Sequence, residues 1–261
     1  MHRGRQALLA VTALVSSATA SVGAYAAQPA ATDAPMVAVV ALSDWKPDIT
    51  RDNAMSVDAL LDMDVYGAGG EDIGEVENLL IGADGRVLSL VAEVGGLWGV
   101  GDTHTNIPWD QVKIDPATKR ITLPITEDTV GDYSLFKDEV VSSLSAATRV
   151  GEVSGDGIGG VQTGPSVWRV TDLIGDTARL KNAGGYLNYG SVDDVVLQDG
   201  KVSAVLIRPG YGIAENGLYA VPFFGSGTYW NPIMTTYDIP YTKTDIEILK
   251  PVTVDLFSAK D

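Results

Sequence analysis

The chain of 261 residues is long enough for one large domain or two small ones, and its 45% hydrophobic, 20% charged composition suits a core that buries in water. Eighteen Lys and Arg against 34 Asp and Glu leave a net charge of −16, which argues against affinity built on neutralising phosphates, so no nucleic-acid partner is expected. With no cysteine, the sequence lacks disulfides, thiolate nucleophiles, iron–sulfur ligation and thiolate zinc sites.

In chain order, His2, Arg3 and Arg5 precede an apolar run from Ala7 to Val15, and Ala24-Tyr25-Ala26 supplies a small-x-small cleavage pattern. Residues 1–26 therefore read as a signal peptide, giving an exported protein, periplasmic or extracellular, with no stable membrane anchor after cleavage. Cleavage leaves His104 as the sole imidazole. Residues 27–55 are rich in Ala and Pro without a sustained period and are expected to form a mobile leader. The apolar run from Met36 to Leu42 is too short to span a bilayer.

From there the sequence repeats itself. Ile73-Gly74-Glu75-Val76-Glu77-Asn78 matches Tyr189-Gly190-Ser191-Val192-Asp193-Asp194, and Asp84-Gly85-Arg86-Val87 matches Asp199-Gly200-Lys201-Val202. The offset falls from 116 to 115 between these landmarks, a one-residue deletion ahead of the turn. Ile107-Pro108-Trp109 then matches Val221-Pro222-Phe223, Asp115-Pro116 matches Asn231-Pro232, and Leu123-Pro124-Ile125-Thr126 matches Ile239-Pro240-Tyr241-Thr242. In the first unit, 65–66, 75–81, 86–94, 105–109 and 120–125 are short β-rich runs between Gly, Pro and Asp. Each Asp-Gly pair predicts a tight hairpin. Leu88, Leu90, Ala92 and Val94 are expected on one buried face, as are Ser203, Val205 and Ile207 in the second copy. Such units avoid exposed edges by closing into small barrels.

The segments Leu60-Leu61-Asp62-Met63-Asp64-Val65-Tyr66, Gly69-Gly70-Glu71-Asp72-Ile73-Gly74-Glu75-Val76, Gly95-Gly96-Leu97-Trp98-Gly99 and Ile107-Pro108-Trp109 resemble the PRC-barrel family. The second copy resembles it through Leu173-Ile174-Gly175, Asp199-Gly200-Lys201-Val202 and Tyr219-Ala220-Val221-Pro222, and departs from it over 179–187. The resemblance implies a compact β-barrel used as a docking module, without an expected active site. The expected fold is mainly β: two tandem small barrels at 56–130 and 167–251, a partly helical, Gly-rich linker over 131–166, and a tail over 252–261. Within the linker, 138–144 suits a short helix and 151–164 a flexible connector. Thr244, three residues ahead of Glu247, predicts a capped closing helix that stops at Pro251.

No catalytic, cofactor-binding or metal-ligating set is assigned, and no enzyme activity is expected. Gly155-Asp156-Gly157-Ile158-Gly159-Gly160 fits a dinucleotide fingerprint literally, but no helix is expected after it. His104 has no counterpart in the second copy and reads as an exposed edge residue. The acidic groups Asp62, Asp64, Glu71, Asp72 and Asp193, Asp194, Asp199 lack the spacing of a calcium loop, which leaves calcium or small-ligand binding as the alternative function. A carboxylate-dependent hydrolase is a further one, with no particular pair of acids singled out. Four aromatics, Trp98, Tyr211, Tyr229 and Trp230, are the candidate contacts for a partner, either an envelope protein or a second copy. The competing reading has them plugging barrel ends or the seam between barrels.

Overall fold

The computed structural model describes residues 39–46, 54–95, 103–126, 128–134, 151–155, 158–163, 167–227, 229–231 and 234–252. The expected signal peptide, the helix at 138–144, Trp98 and all of the tail past Val252 lie outside them. Two seven-stranded sheets carry the fold. The chain enters through β1 (Ala54–Ser56) and α1 (Val57–Leu61), whose N-cap Ser56 accepts the Ala59 amide. It then runs through β2 (Asp64–Tyr66), β3 (Asp72–Ile81), β4 (Val87–Val94), β5 (Thr103–Pro108), β6 (Lys113–Asp115) and β7 (Arg120–Thr122). The first sheet is ordered β5-β4-β3-β2-β7-β6, with β2 and β7 parallel and the other neighbours along this path antiparallel. Alternation along the strands sends Val65, Ile73, Leu79, Leu90, Ile107 and Ile121 inward, each at most 1% exposed.

The second sheet repeats the plan. β11 (Thr177–Asn182), β12 (Gly185–Gln198), β13 (Lys201–Pro209), β14 (Tyr219–Val221), β15 (Trp230–Asn231) and β16 (Thr236–Ile239) are ordered β14-β13-β12-β11-β16-β15, again with one parallel pair, β11 with β16. The mainly β, tandem barrel-like architecture expected from the repeat is therefore present. The glycines that anchor the repeat have a steric reason in each copy. A Cβ on Gly74 would lie 1.9 Å from the Glu93 carbonyl oxygen, and one on Gly190 would lie 2.0 Å from that of Arg208.

The hairpin turns confirm the deletion. Ala83-Asp84-Gly85 is a three-residue loop closed by Gly82 donating to the Arg86 carbonyl at 2.8 Å, with Gly85 at φ +80°. Asp199-Gly200 is a two-residue turn with both φ values positive. Leu90, Ala92 and Val94 join the core as expected, whereas Leu88 is half-buried. Val205 and Ile207 also join it, but a bulge between Val196 and Leu197 brings Val202 into the core and leaves Ser203 half-buried.

Four expectations need correction. The leader is not wholly separate: Leu42 is 5% exposed in the main core, Trp45 packs against it, and the Tyr241 hydroxyl donates to the Val40 carbonyl at 2.6 Å. Its final residues form β1. The connector at 151–164 carries a strand pair, β8 (Gly151–Gly155) with β9 (Ile158–Thr163), because its β-branched Val153, Ile158 and Val161 favour extended backbone despite the glycines around them. Of the dinucleotide-like glycines, Gly155 ends β8 and Gly159 and Gly160 lie within β9. The closing helix α2 (Lys243–Ile246) is capped two residues earlier than expected, by Thr242 reciprocally with Asp245, since Tyr241 is the last residue held by the sheet.

The two sheets also exchange strands. β1, which leads into the first, pairs with β12 of the second, and β10 (Trp168–Arg169), which leads into the second, pairs with β3 of the first. One buried apolar cluster runs through both.

Candidate functional site

The seam between the barrels is built from the same positions twice. The hairpin tips meet through an antiparallel bridge between Arg86 and Lys201. The Val87 amide donates to the Gly200 carbonyl and the Val202 amide to the Gly85 carbonyl, both at 2.8 Å. Each tip glycine lies on an aromatic ring: a Cβ on Gly85 would be 2.8 Å from the Phe223 ring, and one on Gly200 2.7 Å from the Trp109 indole nitrogen. Beside the tips, the exchanged strands are fastened at equivalent bulges. Asn78 donates to the Thr171 hydroxyl at 2.7 Å and accepts the Leu79 amide at 3.0 Å. Asp194 accepts the Ser56 hydroxyl, the Asp58 amide at 3.1 Å and the Val195 amide at 2.7 Å. Burial pushes the Asp194 carboxyl above the ordinary range, while these hydrogen bonds pull it back down.

Trp230, Tyr229 and Tyr211, the candidate aromatics among the described residues, do not form one site. Trp230 is fully buried, donates its indole N–H to Asp176 at 2.9 Å, and packs edge-on against Trp168 and Phe223 at 6.4 and 6.1 Å. It belongs to the seam, as the plugging alternative has it. Tyr229 is half-buried against Phe224 at 5.3 Å. Tyr211 is fully exposed at the tip of the loop after β13. Desolvation raises Asp176 to about 6, moderated by the Trp230 N–H and assisted by the nearby Asp172 charge. Sequence reasoning did not find Asp176; its one signal was its place directly after the Leu173-Ile174-Gly175 landmark.

Outside the seam, the second barrel ends in an open mouth. The hairpin of β11 and β12 extends past the point where β13 stops pairing, at Gly190 opposite Pro209. Arg179 clamps Asp238 on β16 through two bonds, of 2.6 and 2.9 Å, and fixes the base of this extension. It is formed by the residues over which the sequence departs from the family pattern. The loop that carries Tyr211 starts with Gly210 donating to the Tyr189 carbonyl at 2.8 Å and folds Ile213 back over the mouth. Two adjoining hollows, about 710 and 330 Å³, share Tyr189, Ile213 and Lys243 as walls. Leu187 and Ile213, among the few large apolar side chains exposed in the described residues, both line the smaller hollow, and Tyr211 stands two residues from Ile213.

The remaining sequence candidates are dispersed. His104 on β5 lies 2.7 Å from Glu77, the extra residue of the β3 bulge, and is partly exposed. Asp193 is held by Arg208 at 2.6 and 2.8 Å, Asp194 lies in the seam, and Asp199 forms a turn. Among the described residues no group of three or more His, Asp or Glu is arranged to hold a metal ion. No helix among them is long and apolar enough to cross a membrane.

Residues 52–130 match the PRC-barrel domain family. Among curated proteins none matches the chain significantly.

Proposed function

We propose that the protein is exported to the cell envelope and acts there, without enzymatic activity, as an interaction platform built from two PRC-barrel-like units. The observation that carries this reading is how the candidate aromatics divide. The seam uses Trp230 together with Trp109 and both hairpin tips, whereas Tyr211, Ile213 and Leu187 are exposed at the outward end of the second barrel. Aromatic and aliphatic side chains on a loop held by a rigid scaffold supply contact area at low entropic cost. Support for export comes from the basic, apolar and small-residue pattern of residues 1–26.

The test is site-specific photocrosslinking in the native envelope, with the probe at position 211 or, as a control, at the exposed Ala117 in the turn between β6 and β7 of the first barrel. One dominant adduct from position 211 and none from 117, weakened by Ile213→Ser, is the expected result. Equal labelling from both positions, or none from either in well-expressed protein, would overturn the reading.

A further inference from the structure

We infer that the mouth of the second barrel is a binding site for a small anionic amphiphile, a free carboxylate with an alkyl body of about ten to twelve carbons. This goes beyond the platform role and does not depend on it. The two hollows differ in charge. The larger is walled by Tyr189, Tyr219, Ile246 and Leu249, and its charged residues, Lys243 and Lys250 with Glu215 and Glu247, cancel. The smaller has Lys181 and Lys243 with no carboxylate in its lining, over an apolar floor of Leu180, Leu187 and Ile213.

In a chain of 18 basic and 34 acidic residues, a hollow whose lining includes two lysines and no acid is unusual, and the charge it complements is negative. The ammoniums belong to separate elements, β11 and α2, so the fold brings them together rather than the sequence. Because the hollows share walls, a head group at Lys181 and Lys243 leaves the alkyl body to lie over Tyr189 and Ile213 into the larger one. A pocket with an apolar body and few polar anchors at one end is the usual form of a small-molecule site. The volumes, about 330 and 710 Å³, lie within the range of small-molecule pockets and leave room for an alkyl chain. Ordering of the site is provided by the Arg179–Asp238 clamp and the Gly210–Tyr189 hydrogen bond, which fix two of its walls.

The experiment is calorimetric titration of the full chain with sodium octanoate, decanoate and dodecanoate below their micelle-forming concentrations, with dodecyltrimethylammonium as the cationic control. Saturable one-site binding of dodecanoate is expected, tightening two- to fourfold per added methylene, in line with burial of each CH₂. The cationic control is expected to bind at least tenfold more weakly. Lys181→Gln with Lys243→Gln is expected to weaken dodecanoate at least tenfold, and Leu187→Asp, at an exposed site that keeps both lysines, to weaken it comparably. Absence of saturable binding, a flat chain-length series, equal binding of the cation, or variants within twofold of the parent would each overturn the proposal. So would flotation with phosphatidylglycerol vesicles by a protein that ignores monomeric dodecanoate, since that assigns the lysines to a membrane surface. Failure of crosslinking at position 211 alongside saturable dodecanoate binding would remove the platform role and leave this site intact.

Discussion

The two barrels are alike where they touch and unlike where they face away. At the seam, Asn78 matches Asp194, Thr171 matches Ser56, and Trp109 matches Phe223, each pair doing the same job on the opposite sheet. At the far end, the three-residue β2 is answered by a six-residue β11, and the ten-residue β3 by a fourteen-residue β12. A repeated unit that packs on its own copy is held to one geometry by that contact, because a shift in one half has to be matched in the other. Its outer end has no such constraint and is free to acquire a mouth, a loop and a function. The difference puts the proposed binding surfaces on the second barrel and the shared geometry in the seam.

This division can be tested from the largest expected effect downwards. Gly190→Ala and Gly74→Ala both force a Cβ to within about 2 Å of a carbonyl oxygen, so each is expected to cost about 3 kcal/mol or more in urea denaturation. Tolerance of one but not the other would break the equivalence of the barrels. Trp230→Ala empties a fully buried site in the seam and is expected to cost about 3–5 kcal/mol, whereas Tyr211→Ala, on the outer loop, is expected to stay within about 0.5 kcal/mol.

Asp176 sharpens the comparison through pH. Its folded-state pKa of about 6 lies above the ordinary 3.8, so as pH rises the unfolded chain loses this proton first. Stability is therefore expected to fall between about pH 4 and 6, by up to roughly 3 kcal/mol, and to level off above. Asp176→Asn should remove that slope in thermal melts taken across the range. A smaller effect than that of Trp230→Ala belongs to Asp194→Asn, which installs in the second bulge the residue that already serves in the first. It is expected to be within about 1 kcal/mol of the parent at pH 7, while Asp194→Ala, leaving Ser56 and two amides without their acceptor, loses about 1–3 kcal/mol.

Much of the frame was legible in the sequence because its landmarks answer local demands. Gly74 and Gly190 sit where a carbonyl excludes any side chain, and the deletion between the copies is the difference between a three- and a two-residue turn. Relations between units were not legible. β1 and β10 are three and two residues long, too short for any period, and their partners lie more than 80 residues away. Leu42 and Trp45 read as part of a loose leader because the core they pack against is built from residues distant in the chain. Trp230 and Tyr211 carry equal weight as sequence candidates, and only burial separates them. The mouth was least visible, since Lys181 and Lys243 are distant in the chain and the segment between 179 and 187 registers only as a departure from pattern.

The exchanged strands carry a consequence for biosynthesis. Neither half owns all of its sheet: residues 54–56 are donated forwards, and residues 168–169 are donated back. On a growing polypeptide the first barrel therefore waits, with one edge of β3 uncovered, until Trp168 and Arg169 have been made. The same arrangement makes the halves mutual templates. Two separately produced pieces, divided between residues 134 and 151, are expected to find each other and reconstitute the fold without a peptide bond between them, as a complementing fragment pair.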